Sequence, residues 1–225
     1  FSATVTASDG TNSATQNITV NVTNVNEKPN ITSGVSFTVD ENQSDIGFIT
    51  AQDDSENLTF EVTGTDSSYM SINNVTGALT FSVIPDYETK STYSAIARVY
   101  DDDYFTQKAF QVFITNLNDN TPSITSSARF SVAENQTAIG TVTVTDADGD
   151  TLTYSLSGTD ASSMSINSSS GALAFNSAAD YETKSSYAAT VTASDGTNST
   201  TQNITVSVTN LNDNTPSITS SATFS

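Results

Sequence analysis

Apolar and polar residues alternate with a period of two through most of this chain, and no stretch sustains the 3.6-residue period of an amphipathic helix. The pattern is cleanest between residues 121 and 214. Ser123–Ser126 and Ala128–Ala133 read as a first strand broken in the middle. Ile139–Thr145 reads as a second, alternating Ile139, Thr141 and Thr143 against Gly140, Val142 and Val144. Leu152, Tyr154 and Leu156 alternate with Thr153, Ser155 and Ser157. Met164–Asn167 and Ala172–Phe175 flank the turn Ser168-Ser-Ser-Gly171, and Ser186–Ser194 and Thr201–Thr209 complete the set. Seven short strands in under 100 residues predict an all-β fold: an antiparallel seven-stranded β-sandwich with Greek-key, immunoglobulin-like connections. The Trp and Cys landmarks of immunoglobulin domains are absent.

The same pattern recurs along the chain. Asn116-Leu117-Asn118-Asp119-Asn120-Thr121-Pro122 returns as Asn210-Leu211-Asn212-Asp213-Asn214-Thr215-Pro216. It has a degraded counterpart in Asn24-Val25-Asn26-Glu27-Lys28-Pro29. The motif starts, at positions 24, 116 and 210, define a tandem array. Residues 28–120 and 121–214 are expected to be whole repeats. Residues 1–27 match the last two strands of a preceding repeat, and 215–225 the first strand of a following one. The 225 residues therefore read as a window on a longer protein.

Composition narrows the function. With 25 acids against 6 bases the chain carries a net charge of −19, which repels nucleic acid and anionic membrane surfaces and attracts cations. There is no Cys and no His, so thiol nucleophiles, imidazole bases, zinc fingers and disulfides are excluded together. No apolar run approaches the roughly 18 residues needed to span a membrane.

The acids fall at fixed places in the repeat, each at a strand end or in a loop. Glu41-Asn42 and Glu134-Asn135 lie near the start, and Asp86-Tyr87-Glu88 and Asp180-Tyr181-Glu182 before the sixth strand. Asp146-Ala147-Asp148 follows the second strand, with Gln52-Asp53-Asp54 in its place in the first repeat. Asp9, Asp101 and Asp195 follow the sixth strand. These motifs, in this order and with the Asn-x-Asn-Asp-Asn linker, resemble those of cadherin repeats over essentially the whole chain.

The resemblance implies calcium bound between domains, a hard cation taking 6–8 oxygens from carboxylates and carbonyls. Glu41, Asp86 and Glu88 would come from one domain, the Asp119 side chain and the Asn118 and Asn120 carbonyls from the linker, and Asp146, Asp148 and Asp195 from the next domain. Glu134, Asp180, Glu182, Asn212, Asp213 and Asn214 repeat the first two groups. Asn26, Glu27, Asp54 and Asp101 repeat the last two, and Asp9 stands at the Asp195 position. Without metal these acids repel one another, and two or three calcium ions would roughly neutralise the seven at one junction. The linkers begin with Asn116 and Asn210 where cadherins usually have Asp. The 24–28 linker departs further, with Glu27 for Asp and Lys28 for Asn, and Gln52 reads as the replacement for the first Asp of Asp-x-Asp. That junction is expected to hold fewer or weaker ions.

The functional expectation is a calcium-rigidified extracellular spacer or adhesion array, not an enzyme. Its partners would be neighbouring repeats and a homophilic, cell-surface or polysaccharide ligand. The low Lys content and near-identical repeats resemble microbial surface adhesins. Two alternatives stand beside it: a carbohydrate- or partner-binding module, for which Tyr69, Tyr100, Tyr104 and Phe105 are the candidate residues, and a filament subunit completed by strand donation. Asp146-Ala-Asp-Gly-Asp150 looks superficially like an EF-hand loop but has no Gly at its sixth position and Ser157 at its twelfth.

Overall fold

Alternation along the strands decides which side chains enter each core. In the computed structural model, which describes residues 1–54 and 57–220, the chain divides into two units, Phe1–Thr115 and Asn116–Ser225. The first begins with a hairpin, β1 (Ser2–Ser8) and β2 (Ser13–Thr19), whose strands pair with each other and are exposed throughout. The rest of that unit comprises β3 (Asn30–Ile31), β4 (Ser36–Asp40), β5 (Asp45–Phe48), β6 (Ala51–Gln52), β7 (Thr59–Thr63), β8 (Met70–Ile72), β9 (Ala78–Phe81), β10 (Thr92–Tyr100) and β11 (Phe105–Thr115). The second unit repeats these nine as β12 (Ser123–Ile124), β13 (Arg129–Ala133), β14 (Ala138–Thr141), β15 (Val144–Thr145), β16 (Thr153–Ser157), β17 (Met164–Ile166), β18 (Ala172–Phe175), β19 (Ser186–Ser194) and β20 (Ser199–Thr209).

Each unit is a β-sandwich. A four-stranded sheet, β4-β11-β10-β7 or β13-β20-β19-β16, faces a three-stranded one, β5-β9-β8 or β14-β18-β17. β4 runs parallel to β11 and β13 to β20, and the other neighbours within these sheets are antiparallel. On β10 the inward residues Tyr93, Ala95, Ala97 and Val99 are buried, and on β11 Phe110, Val112 and Ile114. Leu79, Phe81, Met70, Ile46 and Ile49 close the same core from the other sheet. In the second unit Ala189, Val191, Ile204, Val206 and Val208 meet Leu173, Phe175, Met164 and Val142.

The second strand departs from the expected Ile139–Thr145. It stops after Thr141 and resumes at Val144, its halves pairing with β18 and β12 respectively. The cause is the turn opposite. Asn167 Oδ1 accepts from the amides of Ser169 and Ser170, both at 3.0 Å, and Gly171 carries φ +70°. The Gly171 carbonyl then takes the Val142 amide at 2.9 Å, drawing Val142 out of the ladder and into the core. Asn73, Gly77 and Ile49 repeat the arrangement. The only helical turns among the described residues are 3₁₀ turns at Ser67–Tyr69 and Ala161–Ser163. The strand expected at 215–225 does not form over 215–220; residues 221–225 lie outside the described ones.

Both cores are pinned beside these turns by an ion pair. Lys90 Nζ meets Asp66 Oδ1 at 2.5 Å while Asp66 Oδ2 accepts from the Ser94 amide at 2.8 Å. Asp160 joins Lys184 and the Ala188 amide in the same way. Each ammonium lies 4.9 Å from the centroid of a tyrosine ring, Tyr93 or Tyr187.

Two outcomes are expected. A Cβ on Gly171 would lie 2.5 Å from the Val142 carbonyl oxygen, so Gly171→Ala combines a left-handed backbone with a clash. Denaturant unfolding should show a loss of at least about 2 kcal/mol, with Ser170→Ala within about 0.5 kcal/mol of the parent. The Lys90 hydrogen bond and the Ser94 amide hold the Asp66 carboxyl below its ordinary range. A depressed carboxylate contributes stability that is full above the unfolded value, about pH 4, and is lost as pH falls through the folded one. Asp66→Ala should cost about 2 kcal/mol at pH 7, and melting curves of parent and variant should converge on acidification below pH 4.

Candidate metal centre

Two acidic ends can be followed within the second unit. At one, Glu134 closes β13 and is 1% exposed. It is turned inward because Asn135 adopts φ +65°, a left-handed conformation that Asn tolerates better than most residues. Asn135 then donates its amide to the Ala179 carbonyl at 2.8 Å. This gives the Glu-Asn pair a local reason, and Asn42 (φ +63°) after the equally buried Glu41 repeats it. Glu134 Oε2 accepts from the Tyr181 amide at 3.0 Å and Oε1 from the Leu211 amide. Carboxylate oxygens of Glu134, Glu182 and Asp213 lie within 4.8 Å of one another. The Asn210 and Asn135 side-chain amides bridge to Glu182 (3.0 Å) and Asp213 (2.6 Å). Asn212 and Asn214 are exposed in the segment after β20.

Asp180 and Asp86 sit apart from such a cluster. Asp180 accepts from the amides of Glu182 and Thr183 and from the Thr183 hydroxyl (2.7 Å), bonds that hold its carboxyl low, and Asp86 does the same with Glu88 and Thr89. In the first unit Glu41 Oε2 accepts from the Tyr87 amide at 2.8 Å, and Glu88 is exposed.

The opposite end of the second unit is built on Asn116–Asn120. Asp148 Oδ2 accepts from the amides of Asp119 (3.0 Å) and Asn120 (2.8 Å), and Oδ1 from the Asn120 side chain (2.7 Å). The Asn116 side chain donates to the Asp148 carbonyl at 2.8 Å, and that of Asn118 to the Asp195 carbonyl at 3.3 Å. Oxygens of Asp146, Asp148 and Asp150 lie within 4.8 Å of one another. Asp195, 9% exposed, caps its hairpin through one oxygen bonded to the Thr197 and Asn198 amides. The other oxygen, Oδ2, is buried without a partner, as are Asp146 Oδ2 and Asn116 Oδ1.

Electrostatics match this crowding. Burial raises the Asp150 carboxyl, and the charges of Asp146, Asp148 and Asp195 raise it further. Burial also pushes the Asp195 carboxyl up, but the Asn198 and Thr197 amides prevail and hold it low.

The first unit repeats this end with a shorter loop. Asn30 pairs with Gln52 where Ser123 pairs with Thr145, so Gln52 stands at the Thr145 position and Asp53, not Gln52, at that of Asp146. The expected loss of the first Asp is thereby corrected. Asp53 Oδ2 and Asp101 Oδ2 are buried without partners. Burial raises Asp53, the Asp54 amide opposes this, and the charges of Asp54 and Asp101 add to it. Asp54 accepts from the Asn24 side chain, and Asn26 donates to Asp103 at 3.2 Å. Glu27 and Lys28 line an open groove with Asp53 and Asp54. Asp9 caps the β1–β2 turn through the Thr11 and Asn12 amides and belongs to no acidic cluster among the described residues. Asp53 and Asp150 are the acids that sequence reasoning left out; sheet register would have found the first.

The two β-sandwiches, with acids at matching strand ends, define the class: the chain is a tandem of cadherin-like domains, with residues 128–209 matching the cadherin-domain family model. It is 30% identical over 168 residues to mouse protocadherin Fat 4 and 28% identical over 213 residues to the Drosophila Fat-like cadherin-related tumor suppressor homolog. These alignments cover 68% and 87% of this chain but span only 3% and 4% of the relatives' length. Mouse cadherin-23 EC22-24 superposes with a TM-score of 0.70 at 26% identity, over 93% of this chain and 74% of that structure. Cadherin domains belong to extracellular, cell-surface adhesion proteins, not enzymes, and characteristically bind calcium. No helix among the described residues is long and apolar enough to cross a membrane.

Glu134→Ala would leave the Tyr181 and Leu211 amides without their acceptor. It should lower the unfolding free energy of the second unit by about 3 kcal/mol, read by chemical denaturation in chelator.

Proposed function

We propose that this chain is a calcium-stiffened adhesion spacer, in which each acidic linker becomes rigid when its carboxylates share cations. The observation that carries the reading is the set of buried, unpartnered oxygens on Asn116, Asp146 and Asp195. Buried polar atoms are nearly always satisfied, and these are hard donors of the kind calcium takes. Asp53 and Asp101 supply the same signature in the first unit.

When bound, calcium supplies the positive charge that these oxygens lack. Asp146, Asp148 and Asp195 would hold it from one side and the Asn118 and Asn120 carbonyls and Asp119 from the linker. By resemblance to cadherins, Glu41, Asp86 and Glu88 complete that set. Glu134, Asp180, Glu182, Asn212, Asp213 and Asn214 would form the corresponding half-site at the other end. Asn26, Glu27, Asp53, Asp54 and Asp101 would form a weaker one, because Lys28 brings a positive charge. The division into residues 1–27, 28–120, 121–214 and 215–225 belongs to the same reading, with Asp9 as the remnant of a further site. Partners would be neighbouring repeats and another cell surface.

Scattering from the whole chain should show a longer, narrower distribution of dimensions in calcium than in chelator, and Asp119→Ala should resemble the chelated parent even with calcium present. Melting of the second unit should rise by the equivalent of about 2.7 kcal/mol at a calcium concentration of 100 Kd, a gain that Asp146→Asn should shrink. Identical profiles in every condition would sink the proposal.

A further inference from the structure

The outer face of the four-stranded sheet differs between the units where the fold makes no such demand. In the first unit Tyr100 lies opposite Phe105, Arg98 opposite Gln107, and Glu61 beside Arg98. At the same register in the second unit Ser194 lies opposite Ser199, Thr192 opposite Thr201, and Ser155 beside Thr192. The hairpin β1–β2 likewise sets Ser8 against Ser13 and Thr6 against Thr15. Small hydroxyl residues therefore suffice to build this face.

The substituted set is a defined constellation. The Tyr100 and Phe105 ring centroids are 5.4 Å apart at 34°, and Phe105 is 49% exposed. The Tyr100 hydroxyl donates to Glu61 Oε2 at 2.7 Å, fixing the ring. Arg98 Nε donates to Gln107 Oε1 at 3.2 Å, and its guanidinium carbon lies 5.9 Å from the Phe105 centroid. The next row, Ile96 and Ala109, borders a cleft of about 440 Å³.

We propose that this face of the first unit binds a neutral polysaccharide. An exposed aromatic ring offers an apolar surface to the C–H face of a pyranose. The carboxylate, guanidinium and amide beside it present fixed acceptors and donors for neighbouring hydroxyls. Charge narrows the occupant: Glu61 and Arg98, 3.7 Å apart, offset each other, while Asp101, Asp102 and Asp103 in the turn between Tyr100 and Phe105 keep the rim acidic on a chain of net charge −19. A polyanion is repelled by such a rim, and the aromatic pair beside an ion pair already satisfied within itself offers its contacts to an uncharged chain. A protein partner needs about 800 Å² per side, more than these few side chains offer. The inference is independent of the calcium reading.

Native affinity electrophoresis of the full chain tests it, in gels containing dextran, galactomannan, xyloglucan or laminarin, with alginate as the anionic control. At least one neutral polymer should retard the chain. The double variant Tyr100→Ser with Phe105→Ser, which installs the residues of the second unit, should run freely, and Gln107→Thr should reduce the retardation. Melting curves check that each variant is folded, and Gln107→Thr decides the matter if the double variant is not. Free mobility in all four neutral gels, retardation by alginate alone, or variants retarded as strongly as the parent would overturn the proposal.

Discussion

A carboxylate removed from water must be compensated, by hydrogen bonds, by an opposite charge or by a proton, and this chain removes several without supplying cations of its own. Glu134 is the best compensated. It is 1% exposed, yet backbone amides of Tyr181 and Leu211 reach its two oxygens. Those amides belong to the loop before β19 and to the segment after β20. One buried side chain thus ties the end of β13 to both neighbours, and the Glu-Asn turn exists to place it there.

The opposite end is compensated only in part. Asp148 accepts from the Asp119 and Asn120 amides and the Asn120 side chain and positions that segment. Asp195 and Asp146 each keep one buried oxygen without a partner. Such oxygens are costly in proportion to their burial, and the nearby acids add repulsion. The same residue type therefore does two jobs. Where amides surround it, a carboxylate organises the backbone; where they are missing, it leaves buried negative charge without a partner in the chain. With 6 bases in the whole chain, Lys90 and Lys184 already pair with Asp66 and Asp160, so few side chains remain to fill that deficit.

Most of the architecture was legible in the sequence because it rests on local rules. Alternation gave the strands their faces, and the recurring Asn-Asp-Asn linker gave the period. What escaped depends on contacts across the sheets. The break in the second strand at Val142 follows from a carbonyl of Gly171, nearly 30 residues away in sequence, and alternation alone carries no trace of it. The place of Asp53 is hidden by a loop one residue shorter than Asp146-Ala147-Asp148, so that counting back from Asp54 lands on Gln52. The pairing of Gln52 with Asn30 resolves it. The turn-capping bonds of Asp86 and Asp180 with the Thr89 and Thr183 hydroxyls are likewise a detail that the Asp-Tyr-Glu motif does not reveal.

Tandem copies separate what the fold needs from what a single copy adds. Tyr93 and Tyr187, Leu79 and Leu173, Phe81 and Phe175 and the Lys–Asp pairs occupy the same places in both units. They are the requirements of the sandwich. The acids at the strand ends recur as well, although the sandwich core does not call for them. Tyr100, Phe105, Arg98, Gln107 and Glu61 recur in neither sense, since Ser and Thr hold the same register in the second unit. Half-exposed aromatic surface contributes little to folding, because the favourable term scales with the apolar area removed from water. Its presence on one of the two units, held by its own hydrogen bonds, is therefore not explained by what that unit must bury.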